Sequence, residues 1–149
     1  MGAVAAVGPL TGRDLSELGA LFAARSGRPA DLDRFATWID SSPSAGARLD
    51  GALVGYATTA PFGPEVVELT SMLVAPSARG RGIGTALLGH LHDACRASGI
   101  GAVVTVTSAG YATAEPHRDA VPFYEAAGYR VAVRTEQTAV LVRSLGDEG

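Results

Sequence analysis

The residues of this chain best suited to chemistry form one segment, Val74-Ala75-Pro76-Ser77-Ala78-Arg79-Gly80-Arg81-Gly82-Ile83-Gly84-Thr85-Ala86. A β-type run leads into a loop with three glycines, and the loop opens directly into a helical pattern. Gly80, Gly82 and Gly84 let the main chain approach a ligand closely and adopt φ > 0 where a turn demands it. Amides at the start of the following helix face outward, with the positive end of the helix dipole behind them. Arg79 and Arg81 add charge, and the whole suits a pyrophosphate. Two other phosphate loops fit poorly. A Walker loop requires Gly-Lys-Ser/Thr, and the segment has no lysine. A dinucleotide fingerprint follows the first strand of a doubly wound sheet and has an acidic residue about 20 positions on. Here the loop comes halfway along the chain, and the next strand ends in Thr105-Val106-Thr107.

Other reactive side chains read as structural. Cys95 completes an apolar stripe with Ile83, Leu87, Leu88 and Leu91, so it belongs to a core. His90 and His92 stand two apart on the same helix, point in different directions and lack metal-ligand spacing; they read as surface residues, and no metal is expected.

The elements that must position the loop follow from pattern and punctuation. Val4 to Val7 is a short apolar strand before Gly8-Pro9. Thr11-Gly12-Arg13-Asp14 has the form of a capping box, and Leu15, Leu18, Leu21 and Phe22 then fall at helical spacing. Leu32, Phe35, Ala36 and Ile39 mark a second helix, ended by the breaker-rich run Ser41 to Gly46. Arg48 to Ala60 reads as a hairpin about Asp50-Gly51, Pro61 to Pro64 as a connection, and Val66 to Val74 as the strand that feeds the loop. The helix after the loop stops at Gly99, and Val103 to Thr107 returns as a strand. Strand, helix and strand in about 40 residues make a βαβ unit, with parallel strands and a right-handed crossover. A short helix from Asp119 to Ala127 and a last hairpin, Val131–Val133 with Thr138–Val142, complete a mixed α/β sheet with helices on both faces.

The chain has 149 residues, 47% hydrophobic and 18% charged, with a net charge of -3. That fits one domain over residues 1–149 with a full core. An acidic balance disfavours a nucleic-acid partner. No apolar run nears the roughly 18 residues of a membrane span, and the start lacks the basic region of a signal peptide. A single cysteine accords with a cytoplasmic location.

Val74-x-Pro76 followed by Arg79-x-x-Gly82-x-Gly84 resembles the acetyl-CoA motif of the GCN5-related N-acetyltransferase (GNAT) superfamily. Phe123-Tyr124-Glu125-Ala126-Ala127-Gly128-Tyr129, downstream, is similar to that family's Phe-Tyr-x-x-x-Gly-Phe segment. The resemblance covers nearly the whole chain. It implies a mostly antiparallel sheet of six to seven strands, about four flanking helices and a parallel pair that splays at the cofactor. It implies an acetyl-CoA-dependent N-acyltransferase acting on a primary amine by direct attack in a ternary complex, the acceptor being a small molecule or peptide. A binding module that senses acyl-CoA without turnover, or a transferase of another acyl group, is the alternative.

By the same resemblance, the main chain of Met72, Leu73 and Val74 lines the pantetheine arm. Arg79, Gly80, Arg81, Gly82, Ile83, Gly84 and Thr85 hold the phosphates. Tyr124 is the candidate general acid, Glu68 the leading general base and Glu65 the second. Simple strand alternation puts Glu68, Thr70, Met72 and Val74 on one face. Trp38 lines the acceptor pocket or packs. His117 and Arg118 orient an acidic substrate group or form a surface pair. Homodimers are common in the family, which leaves that assembly open here. The sequence departs from the family at Ser108-Ala109-Gly110, where many members carry an asparagine.

Overall fold

A computed structural model describes residues 4–108 and 120–146. In chain order the elements are β1 (Ala6–Gly8), α1 (Leu15–Ser26), α2 (Leu32–Ser41), β2 (Ser44–Leu49), β3 (Ala52–Gly63), β4 (Val66–Val74), α3 (Ile83–Ala97), β5 (Ala102–Ser108), α4 (Val121–Ala126), β6 (Arg130–Arg134) and β7 (Thr138–Ser144). They build a seven-stranded sheet in the order β1-β2-β3-β4-β5-β7-β6. The pair β4–β5 is parallel and every other pair antiparallel. The expected mixed, mostly antiparallel sheet with four helices is therefore what forms.

The start of α1 is fixed locally and then across the chain. Thr11 Oγ1 accepts from the Arg13 amide at 3.2 Å, and Asp14 Oδ2 accepts from the Thr11 amide at 2.8 Å. Asp14 also pairs with Arg48 of β2. Glu17 Oε1 takes Arg48 Nη1 at 3.0 Å, and its Oε2 takes the Leu53 amide at 3.0 Å. These bonds dock α1 on the β2–β3 hairpin. Its turn is Asp50-Gly51, both at positive φ (51° and 84°), the two-residue type I′ loop that the twist of paired strands favours.

Two differences from the sequence reading concern strand ends. β2 begins at Ser44, four residues before Arg48, although Ser41 to Gly46 looks like a breaker. Packing decides: Ala45 and Ala47 are fully buried, and a Cβ on Gly46 would lie 2.6 Å from Leu10 Cδ2. β3 likewise runs through Pro61-Phe62-Gly63, because Pro61 still opposes Val67 and a bulge absorbs the irregularity.

The core is split by the sheet. On one face α3 and α4 pack over Ala45, Ala57, Val67, Leu69, Val103 and Leu141. On the other, α1 and α2 enclose Leu18, Phe35, Leu53 and Tyr56. Trp38 belongs to this second cluster, its ring edge-on to Phe35 at 5.2 Å.

Candidate active site

The site lies where β4 and β5 part. Their parallel register runs from Val66↔Ala102 to Leu69↔Thr105 and stops there, while β4 continues to Val74 against β3 alone. In an antiparallel ladder alternate residues turn their amide and carbonyl toward a given neighbour. The Ala75 amide donates to the Val54 carbonyl on the β3 side at 2.8 Å. Counting back, Leu73 turns toward β3, whereas Met72 and Val74 turn toward the gap. The Val74 carbonyl faces the loop, where Arg79 Nε reaches it at 3.4 Å.

A bulge sits between Thr58 and Thr59 of β3, opposite Thr70 and Ser71 of β4. It reverses the alternation expected from sequence. Val67 and Leu69 pack beneath α3, and so do Met72 and Val74. Leu73 packs with the α1–α2 cluster, and Ser71 Oγ meets Tyr56 of that cluster at 2.9 Å. Glu68 thus stands on the face opposite Met72 and Val74, not beside them. It is half-buried, with no ionic partner among the described residues. Glu65 is exposed, one residue before β4 and so at the far end of that strand from the gap.

The loop takes the conformation its glycines permit. Gly80 and Gly82 have φ of 79° and 75°, with nothing within 4 Å of an added Cβ. The first bond of α3 is from the Ala86 amide to the Gly82 carbonyl, so the amides of Ile83, Gly84 and Thr85 precede any intrahelical partner. No side chain caps that end, and the first turn holds no acidic residue. Gly84 also serves packing. A Cβ there would lie 3.1 Å from Phe123 Cζ and 3.7 Å from Met72 Cε. Arg79 and Arg81 are exposed.

Tyr124 of α4 closes the gap from the α3 side. It is buried, and its hydroxyl makes a long, weak contact to Met72 Sδ at 3.9 Å. Burial raises its pKa, and hydrogen bonding to Thr105 of β5 offsets part of that rise. The phenol thus holds its proton, with Met72 of β4 and Thr105 of β5 beside it. Met72, Leu73, Val74, Arg79, Gly80, Gly82, Ile83, Gly84, Thr85, Thr107, Phe123 and Tyr124 line one cleft of about 600 Å³, joined by Arg25 from the last turn of α1. Arg25 escaped the sequence reading, since nothing local distinguishes it from the other arginines of the chain.

A second hollow, of about 540 Å³, lies between the C-terminal ends of α2 and α3. Much of its polar lining is already engaged: Ser44 Oγ accepts from the Leu10 amide, Ser42 Oγ meets Thr59 Oγ1, and Thr59 donates to the Pro43 carbonyl. The first cleft, with amides unspent, is the better candidate.

His92 is corrected by the structure. It is buried, not on the surface, and its Nε2 lies 2.8 Å from Tyr129 Oη. The Tyr129 ring stands edge-on to Tyr124 at 5.4 Å. Desolvation, helped by Arg143 and Arg96, lowers the His92 pKa to about 4, so the ring is neutral. The signal was present: His92 is four residues after Leu88 and three before Cys95, on the buried stripe. Cys95 is fully buried as expected, and burial pushes its thiol up to about 11. Among the described residues no group of three His, Cys, Asp or Glu is placed to hold a metal, and no helix is long and apolar enough to cross a membrane. His117 and Arg118 lie outside the described residues.

The fold is shared with solved structures. Ard1 from Thermoplasma volcanium superposes with a TM-score of 0.79 at 12% identity, over 96% of this chain and 99% of that one. The ribosomal-protein-S18-alanine N-acetyltransferase from Escherichia coli gives 0.77 at 19%, over 98% and 97%. A phosphinothricin acetyltransferase of the GNAT superfamily from Sinorhizobium meliloti, in complex with acetyl-CoA, gives 0.74 at 25%, over 95% and 89%. A search of curated proteins finds no significant match. The model of the acetyltransferase (GNAT) family matches residues 15–129, a span that holds the loop, the parted strands and Tyr124, and the chain belongs to that family.

Proposed function

We propose that this protein is an N-acetyltransferase that moves the acetyl group of acetyl-CoA to a primary amine within a ternary complex. The observation that carries the reading is the coincidence of two sets of unspent amides in one cleft, those opening α3 and those of Met72 and Val74. The glycine-lined opening fits a pyrophosphate: Gly80 and Gly82 leave its approach free, and the cap-free turn puts amides and the helix dipole behind it. Arg79 and Arg81 supply charge beside it. The main chain of Met72 and Val74 fits an extended amide-bearing arm laid along β4, and an amide there can stabilise charge developing on the thioester oxygen.

Bound acetyl-CoA supplies an activated thioester: a C–N bond forms as its C–S bond breaks, giving an amide and a free thiol. The protein's own groups move two protons. An ammonium first loses a proton to solvent; Glu68, on the α1–α2 face, then takes one from the amine as it attacks, and Tyr124, on the opposite face, gives one at the position of the departing sulfur. Glu68 stands in the paired stretch of β4, one residue before the strands part, and Tyr124 lies on the other face of the sheet; in this reading the amine enters from one face while the leaving group is protonated from the other. Holding both partners in this slot supplies the proximity term. The very different acceptors named for two of the similar structures above show that the fold does not choose the amine.

The test is calorimetric titration with acetyl-CoA of the wild type and of Gly82→Asp. Aspartate tolerates the left-handed conformation and favours a helix N-terminus, so the variant folds while its carboxylate repels a phosphate. Micromolar binding, about -8 kcal/mol, that disappears in Gly82→Asp supports the reading. No binding of any acyl-CoA by the wild type, or full binding by the variant, overturns it.

A further inference from the structure

The face of the sheet opposite α3 is covered unevenly. Helices α1 and α2 lie over β3, while Val106 of β5 and Val133 of β6 remain more than half exposed. Register identifies what this stretch presents. Val67↔Val103, Leu69↔Thr105 and Thr105↔Leu141 are neighbours on the α3 face. The alternate row therefore runs across the other face from Glu68 of β4 to Val104 of β5, Val142 of β7 and Arg130 of β6. The next row holds Val106, Val140 and Val133. Val104 is buried, Val140 and Val142 are half-buried, and Val106 and Val133 are 53% and 55% exposed; none of the five belongs to either core cluster.

The patch is thus a band of β-branched side chains that begins at the parted strands and has the carboxylate of Glu68 at its near edge. A solvated sheet face normally alternates polar residues outward, and this one presents valines. Its near edge, Glu68 beside Val104, lies one register position before β4 and β5 part, next to the slot of the proposed transfer. Its charge suits an ammonium at one end and its floor an apolar body. From β4 to β7 the band spans two interstrand spacings, roughly 10 Å.

We infer that the acceptor is a primary amine on an aliphatic or arylalkyl body, seated with its nitrogen at Glu68 and its body across Val142, Val106 and Val140. This rests on the transferase reading above and names the substrate class for it. Val106 and Val140 are then specificity-determining residues, and polyhydroxylated amines and polyamines are poor acceptors because their polar groups lose water against the valines without replacement partners.

The experiment is a kinetic series with the full chain and saturating acetyl-CoA, after calorimetry has shown that acetyl-CoA binds. Ethylamine, butylamine, hexylamine and phenethylamine are compared with glucosamine and spermidine. The expected result is a rise in kcat/KM of roughly threefold to fourfold per added methylene, the worth of a buried methylene, and the poorest rates with glucosamine and spermidine. In Val106→Thr and Val140→Thr, which keep the shape and β propensity of valine, the ratio of hexylamine to ethylamine falls severalfold. A flat series, acetylation of the polar amines alone, or no acetylation of any panel amine despite bound acetyl-CoA overturns the inference and leaves the cofactor reading standing. Failure to bind acetyl-CoA removes both. A dimer in solution that dissociates on Val106→Asp assigns the band to a second copy of the chain and overturns the inference as well.

Discussion

The two halves of β4 have opposite characters. From Val66 to Leu69 the strand is hydrogen-bonded on both edges, to β3 and β5. From Thr70 to Val74 it keeps β3 and loses β5. In the first half the polar backbone is spent on the sheet and the side chains Val67 and Leu69 are spent on the core under α3. In the second half Met72 and Val74 direct amides and carbonyls into a cleft, where no strand meets them. Unpaired main chain away from water costs free energy, so a fold retains it where a ligand or water answers it. Tyr124 spans both regions: its ring belongs to the core, and its hydroxyl ends at Met72 in the open half. Stability resides in the closed half, and the proposed cofactor binding uses the main chain of the open one.

The largest expected effect tests that division at its join. Tyr124→Phe keeps the ring and removes the proton donor. It should lower kcat about a hundredfold or more, the low end of general acid–base contributions, with acetyl-CoA affinity by calorimetry kept within about twofold. Equal losses of affinity and turnover would make the hydroxyl a binding group. A pair of truncations tests the strand itself. Leu69→Ala empties a buried core position and should cost roughly 2–4 kcal/mol in urea unfolding, with acetyl-CoA affinity unaltered in the folded fraction. Met72→Ala, half-buried in the parted stretch, should cost less than half as much stability while weakening acetyl-CoA binding. If the two variants exchange these signatures, the division fails.

The parts legible in sequence are those with local causes. Asp50-Gly51 specifies its turn because both residues tolerate positive φ, and the capping box forms between Thr11 and Asp14 within a single turn. The stripe from Ile83 to Cys95 and the glycines before it needed only helical periodicity and chain order. The parts that escaped depend on distant partners. Ser44 to Ala47 looks like a breaker until Leu10 and α3 are packed against it. The side of the sheet on which Glu68 stands depends on one extra residue in β4 opposite Thr58 and Thr59, and no pattern along β4 announces it. Gly84 reads as a phosphate glycine, yet its missing side chain makes room for Phe123, far along the chain. The proposed cofactor loop was readable because its residues are consecutive; the proposed acceptor face was not, because it arises from the register of three strands.

The smallest expected effect concerns polar groups that the closed region satisfies internally, in contrast to the open cleft. His92 and Tyr129 are buried against each other, with Tyr129 raised chiefly by burial and His92 lowered to about 4, also chiefly by burial. The unfolded chain takes up a proton on His92 near pH 6.5, whereas the folded protein refuses it until about 4. The unfolded state therefore binds more protons throughout that window, and stability must rise with pH across it. The contribution is complete above 6.5 and is lost as pH falls toward 4. A tenfold change in proton affinity is worth about 1.4 kcal/mol, so the loss between pH 7 and pH 4.5 amounts to a few kcal/mol at most, on top of whatever the carboxylates contribute. The double variant His92→Leu, Tyr129→Phe removes both polar partners together and leaves neither unsatisfied. Its urea midpoint at pH 7 should sit close to that of the wild type, and its decline toward pH 4.5 should be visibly shallower. Parallel curves for the two proteins would mean that His92 titrates as it does in water, and the closed region would then be as open to solvent as the cleft.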